Sequence, residues 1–348
     1  MLILGLSLAA AALAPQQPDP RATFAVGTAT APRGATAYGA LVVPAGVDSG
    51  TSIPVAVVHG AMPGPVLALI AGSHGTEYAS ILALQQLIAT LDARRLRGTV
   101  IILPLVNVPS FEQRVPHLNP VDRKNMNRFY PGNPAGTQTE RASFLITREV
   151  VERSDHLVDL HGGDLDESLR PYSYWTITGR AVQDSVSRGM VLAFGLPHII
   201  MSTDRPRDPA ASRYLENTAT TRGKPSFTAE AGYAGTVMPA DVGALVDGCL
   251  NVMGYLGMLD RPVRPVAAPV WIERLVTVVS DSSGVFHPLA KRDATVAAGT
   301  PLGYVTDYLG RKLLDVRAPE AGLVLYINAL PTMTKGGTVA SLGVLKRP

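Results

Sequence analysis

Cysteine is almost absent: Cys249 is the only one in 348 residues, so no disulfide can close within the chain and a small cross-linked scaffold is excluded. A basic run is missing too. The 31 Lys and Arg and the 28 Asp and Glu are scattered, the formal charge is +3, and nothing in this distribution calls for nucleic acid. With 46% hydrophobic and 17% charged residues, disorder is excluded and there is material for one sizeable core plus a smaller module. No apolar run reaches the ~20 residues that a membrane-spanning helix needs. The opening MLILGLSLAAAALA comes nearest, and it resembles the hydrophobic and cleavage regions of a secretory signal. Export to the periplasm or the exterior is therefore expected. No Lys or Arg precedes the run and Pro15 follows Ala12-Leu13-Ala14, so a cytoplasmic location is the alternative.

Residues 1–22 are assigned to this signal and to a linker; the whole stretch from 15 to 35, with PQQPDP and several Ala, Thr and Gly, has no clear period. From 23 to 262 a main domain is expected. Its core reads PVLALIAG, then the helical YASILALQQLIATLDARR, then TVIILPLVN, a strand, helix, strand unit. Further buried strands are expected at HLVDLH (156–161) and PSFTAEAG (225–232), with helices near 138–153, 180–195 and 240–259. The class is α/β, a parallel or mixed sheet covered by helices on both faces. The proline-rich RPVRPVAAP (261–269) marks a boundary. Short β-type runs separated by Gly and Pro follow it, predicting a small all-β barrel or sandwich over 263–348.

In AGSHGTE, His74 and Glu77 stand three apart after an apolar strand, where the chain turns into a helix. On a first helical turn such residues share a face, so an imidazole and a carboxylate can hold one ion together; a surface salt pair is the plain alternative. In VDLHGGD, His161 ends another apolar strand, and the two glycines let the backbone turn sharply and leave space before the ring. A hydrogen-bonded core histidine is the ordinary alternative. Asp159, two residues earlier on the same strand face, can orient an imidazole from behind. Two close ligands and one distant one leave a coordination position open, which a catalytic zinc needs.

VNVPSFEQRVPHLNPVDRKNMNRFYPG carries Arg114, Asn127 and Arg128, and TAEAG places Glu230 at a strand end. Together with HGTE and DLHGG, in this order and spacing, these stretches make the chain resemble the succinylglutamate desuccinylase and aspartoacylase family, relatives of the zinc carboxypeptidases, over about residues 50–345. The resemblance implies a zinc-carboxypeptidase-like mixed sheet flanked by helices and one Zn2+ held by His74, Glu77 and His161. It further implies that Arg114 polarises the scissile carbonyl, that Asn127 and Arg128 grip the substrate carboxylate, and that Glu230 is the general base. Arg123, where VDGKN would carry glycine, competes with Arg114, and Met126 replaces a leucine as packing. Of the other histidines, His117 lies near this recognition loop.

The run from about 283 resembles the biotinyl or lipoyl-like barrel-sandwich module that ends some family members. A carrier lysine would have to be Lys312, but Arg311 stands before it where methionine or aspartate is usual. The module is expected instead to shield the active-site mouth. The activity so implied is hydrolysis of the amide bond of an N-acyl amino acid, a small carboxylate-bearing substrate. Alternatives are a metallocarboxypeptidase or peptidoglycan-trimming peptidase with the same metal site, and a non-catalytic carboxylate-binding protein. A second copy of the chain as partner is left open.

Overall fold

A computed structural model describes residues 21–346. The apolar amino-terminal segment read as a signal lies outside the described residues. Among those described, no helix is long and apolar enough to cross a membrane.

A 13-stranded mixed sheet organises the molecule. From the centre to one edge it runs Tyr172–Thr176, Ser226–Glu230, His156–His161, Met62–Ala71, Arg97–Leu103, Thr51–His59, Ala35–Val43. The strands His156–His161, Met62–Ala71 and Arg97–Leu103 are parallel, as are Ser226–Glu230 and His156–His161. These strands are apolar almost throughout because both faces are covered. Leu67, Leu69 and Ala71 pack on one side against the helices Tyr78–Thr90, Ala181–Phe194 and Pro239–Tyr255. Val66, Ala68 and Ile70 face the other side, where the helix Gln138–Ile146, its continuation to Val151 and the helix Leu215–Thr221 lie. Leu84, Leu87 and Phe227 are fully buried, each contributing roughly 1.5–3 kcal/mol of hydrophobic stabilisation.

Residues 23–32, expected to be linker, form instead a hairpin of Thr23–Val26 with Ala29–Pro32. Its Phe24, Val26, Ala29 and Ala31 join the second core. The pieces are short and made of small residues, so their alternation becomes meaningful only once one face docks.

The proline-rich stretch at 261–269 has no regular structure, yet the sheet continues across it. Val270–Val279 pairs in parallel with His198–Ser202 and antiparallel with Thr338–Leu345, which pairs in turn with Gly322–Asn328. A separate four-stranded sheet contains Gly284–Pro288, Pro301–Thr306, Lys312–Arg317 and Thr332–Met333. Phe286, Leu302 and Val305 of that sheet share a core with Val278, Val324 and Leu342 of the large one. The expected all-β character is met as two sheets over a common core; closure into a barrel is not seen among the described residues. Lys312 stands at the start of its strand, ion-paired with Asp315, while the hairpin tip is Asp307–Gly310.

Candidate metal centre and active-site cavity

The site forms at the carboxyl ends of the parallel strands, where an open α/β sheet ordinarily holds its ligand. After Met62–Ala71 the chain makes a tight turn before entering the helix at Tyr78, so His74 and Glu77 sit in that turn and not on a first helical turn as the spacing suggested. Gly75 is required there: a Cβ would lie 2.2 Å from the Phe111 nitrogen. Glu77 aims one carboxylate oxygen at each imidazole, with His74 Nδ1 2.5 Å from Oε1 and His161 Nδ1 2.9 Å from Oε2. The Gly162 amide donates to Glu77 Oε2 at 3.1 Å. Gly162 also permits close backbone approach, since its Cβ would meet the Ala231 carbonyl at 2.5 Å.

His161 and Glu230 end adjacent strands in register. Along the His156–His161 strand, Val158 and Leu160 belong to the first core, so Asp159 and His161 point to the opposite side, as the two-residue spacing implied. Asp159 Oδ1 lies 3.1 Å from His161 Nε2, an ion-pair approach off the hydrogen-bond axis. Nε2 is thus on the Asp159 side of the ring and Nδ1 on the Glu77 side, among the other candidate donors. The Asn127 amide is fixed by the Leu215 N–H, which donates to its Oδ1 at 2.8 Å, and its Nδ2 is 3.2 Å from His161 Nε2.

Charge distribution explains the titration of these groups. Burial would raise the Glu77 carboxyl, but His74 and His161 outweigh it and hold Glu77 far below the usual carboxylate range. Burial would lower His161, but Asp159 and Glu77 hold it well above an ordinary histidine. Glu230 is pushed well above the usual range by burial, with the carboxylates of Glu77, Glu167 and Asp159 adding to the shift and His161 opposing it. Glu167 rises to about 7 for the same two reasons, burial and Glu77. Four carboxyl groups, Glu77, Asp159, Glu167 and Glu230, thus crowd two imidazoles, which is the charge pattern that a divalent cation relieves. The donor atoms of His74, Glu77 and His161 all lie within 4.8 Å of one another, and two imidazoles with a carboxylate suit zinc. The residues present fit the ion.

A cavity of about 690 Å³ opens over this cluster. It is lined by His74, Glu77, His161 and Glu230, by Asn127 and Arg128 as the motif implied, and by residues that spacing did not reveal: His117, Glu167, Arg205, Tyr214 and Glu216. Arg128 stacks over the Tyr214 ring at 4.7 Å and Arg205 over the same ring at 4.0 Å. The loop carrying Asn127 and Arg128 is anchored through Asp122, which accepts from the Thr139 N–H and hydroxyl at 2.9 Å each. Glu273, Arg274, Leu275 and Thr277 of the carboxy-terminal module close one side, so that module does wall the mouth.

Arg114 is not brought to the cavity. It caps the short helix Val108–Gln113 with φ 54° and faces an outer hollow beside Tyr78 and Phe111. Arg123 is exposed, with φ 60°, the left-handed conformation for which glycine is suited. His117 holds the wall beside His74 instead, the ring centroids 5.9 Å apart. Its Nε2 is 2.9 Å from Asp166 and its Nδ1 3.2 Å from Asp164. Burial works against its charge, but those two carboxylates raise its pKa to about 9.

Fold and site together define an α/β protein with a candidate metal centre at the strand ends of a mixed sheet, set in a cavity of substrate size. Residues 63–256 match the Succinylglutamate desuccinylase/Aspartoacylase catalytic domain, and the chain belongs to that family of amidohydrolases and deacylases. It is similar to the N-alpha-acetyl-L-2,4-diaminobutyric acid deacetylase of Halomonas elongata, 28% identical over 83% of this chain and 84% of that one. It is likewise similar to the ectoine utilization protein EutE (DoeB) from Ruegeria pomeroyi in its product-bound structure. That match has 28% identity and a TM-score of 0.79, covering 89% of this chain and 95% of that one. The fold is shared with a succinylglutamate desuccinylase from Silicibacter sp. TM1040 at a TM-score of 0.79 and 24% identity, over 89% and 95% of the two chains.

Proposed function

We propose that this chain is a zinc-dependent hydrolase that cleaves the amide bond of a small N-acyl amino acid. The observation that carries the reading is the convergence of His74, Glu77 and His161 on one point, with Glu230 on the neighbouring strand end and Arg128 in the same cavity. A zinc ion held by the three donors supplies a Lewis acid for the scissile carbonyl and lowers the pKa of water toward about 7. Glu230 takes the proton of the attacking water and returns it to the leaving amine, a role for which a carboxyl raised by burial is suited. Asp159 supplies negative charge behind the His161 ring, on the side away from Glu77. Asn127 and Arg128 hold the substrate carboxylate, the guanidinium fixed by its stack on Tyr214. Arg114 has no part in this reading; positive charge beside His74 comes from His117. The Halomonas relative, named for removal of an N-acetyl group from an amino acid, supports acetyl as the acyl group.

The test is a panel of N-acetyl and N-succinyl amino acids set against short peptides, assayed before and after chelation and zinc restoration. Turnover of the N-acyl amino acids that is lost with chelator and regained with zinc is expected. Turnover of peptides alone, or of N-acyl amino acids in the stripped enzyme, overturns the reading.

A further inference from the structure

A second pocket, of about 180 Å³, adjoins the main cavity, with Thr203 and Arg205 in the walls of both. That is room for about six waters or one small solute. It lies between the end of the strand Tyr172–Thr176, the loop after His198–Ser202, the helix Leu215–Thr221 and the start of the helix Ala181–Phe194. The guanidiniums of Arg180, Arg205 and Arg207 line it, and no carboxyl group does. Among the described residues none of these three guanidiniums has an ion-pair or hydrogen-bond partner. The acids near them are engaged elsewhere. Asp184 accepts from the Thr178 and Gly179 amides at 2.9 Å each, Asp208 accepts from the Ala210 amide, and Asp204 and Glu216 line the main cavity. Three unpaired cations around one hollow repel one another, and an anion placed among them removes that cost.

Two of the lining groups are held in place with a polar atom left over. Arg205 is fixed by stacking, 4.0 Å over the Tyr214 ring and 5.7 Å from that of Tyr174, and its Nε is buried without an acceptor. Stacking uses the faces of a guanidinium and leaves its N–H edge for an oxyanion. Asn217 is 1% exposed, and its Nδ2 donates to the Pro206 carbonyl at 3.0 Å and to the Thr220 hydroxyl at 3.2 Å. A carbonyl only accepts, so the amide cannot be turned round. Its Oδ1 is therefore fixed as an acceptor, and it has no donor among the described residues. An unmet acceptor loses its water without compensation, so the pocket asks for an anion that also carries a hydrogen.

We propose that this second pocket is an oxyanion site that takes hydrogenphosphate, its charge met by Arg180, Arg205 and Arg207 and its P–O–H donating to Asn217 Oδ1. The site is separate from the metal centre and does not depend on the hydrolase reading. Sulfate has the same shape and charge but no hydrogen near neutrality, and phosphate esters have mostly lost theirs above about pH 6. Hydrogencarbonate keeps a hydrogen but brings one negative charge to three cations. A zwitterion could feed Asn217 from its ammonium, but the same three guanidiniums repel that group.

The experiment is calorimetric titration of the zinc-loaded full chain, freed of excess zinc, with inorganic phosphate and with inorganic sulfate at mildly alkaline pH, where both are dianions. Phosphate should bind roughly 5- to 100-fold more tightly, the range set by one acceptor met or left unmet. Arg180→Ala combined with Arg207→Ala should weaken phosphate at least about 10-fold, as loss of charged hydrogen bonds does. Both side chains are exposed and lie outside the main cavity, so melting temperature, zinc content and turnover without phosphate should hold. Arg207→Glu, a single change in a loop, should weaken phosphate likewise and serves if the double variant is unstable. Absence of phosphate binding, or equal binding of the two anions, overturns the proposal. Phosphate binding that the arginine variants leave untouched is binding at the metal centre, and it overturns the proposal too.

Discussion

Replacing Glu230 by glutamine keeps the shape of the side chain and removes only its ability to take a proton. General-base assistance contributes typically 10²–10⁴-fold in rate, so the variant should lose about 3–5 kcal/mol of transition-state stabilisation at about 1.4 kcal/mol per decade. The same burial that would suit Glu230 to the proposed role of base makes its charge expensive. Its carboxyl is driven well above the ordinary range by burial and by Glu77, Glu167 and Asp159, so in the metal-free protein a neutral amide replaces a group whose charge is already disfavoured. Stability of the metal-free chain should therefore change by less than about 1 kcal/mol, and zinc binding should persist because Glu230 is not among the donors. Steady-state kinetics on an N-acetyl amino acid, metal analysis and thermal unfolding of the stripped protein measure the three quantities separately. Activity retained within threefold removes Glu230 as the base; joint loss of activity, zinc and stability makes it a structural residue.

Arg128→Ala should lower kcat/KM for carboxylate-bearing substrates by roughly 10- to 100-fold, chiefly through KM, as loss of a charged hydrogen bond does. Arg114→Ala should leave kinetics within about twofold, because that side chain lies in the outer hollow by Phe111. Steady-state kinetics of the two variants side by side check this pair. His156 is buried at the start of its strand and burial lowers its pKa from 6.5 to about 4. The unfolded chain therefore binds the extra proton between those values, so stability from this group is present above 6.5 and is lost as pH falls through 4, by roughly 3 kcal/mol. Urea unfolding of His156→Gln at both ends of that window should show a correspondingly smaller loss in acid. Phe227→Ala, which empties a fully buried position against Phe194 at 5.4 Å, should cost about 3–5 kcal/mol in the same assay.

The central strands were legible because burial on both faces writes an uninterrupted apolar run, as in PVLALIAG and HLVDLH, and because their helices carry long periodic patterns. The convergence of the candidate metal donors was legible for a related reason: His74 and Glu77 are close in sequence, and His161 is marked by the glycines that let its strand end against Ala231. Where position depends on loop geometry, reading failed. Arg114 itself adopts a left-handed conformation at the end of its helix and faces outward, and nothing in VNVPSFEQR encodes that direction. Tyr214, Arg205 and Glu216 sit in a segment without period, and only the stack of two guanidiniums on one ring brings them to the wall. His117 looked like a loop residue because its partners, Asp164 and Asp166, lie 47 and 49 residues away in sequence. The continuity of the sheet across 261–269 was likewise invisible, since proline-rich composition marks an irregular stretch and says nothing of what pairs on either side.

The claim on which the account stands is that one ion is held by side chains from two separate strand ends. Crystals of the metal-loaded protein, measured at the zinc absorption edge, test it directly. The account predicts one anomalous peak per chain within about 2.0–2.2 Å of His74 Nδ1, His161 Nδ1 and a Glu77 oxygen. No peak at saturating zinc, or a peak at His117, Asp166 and Glu167 in its place, contradicts it.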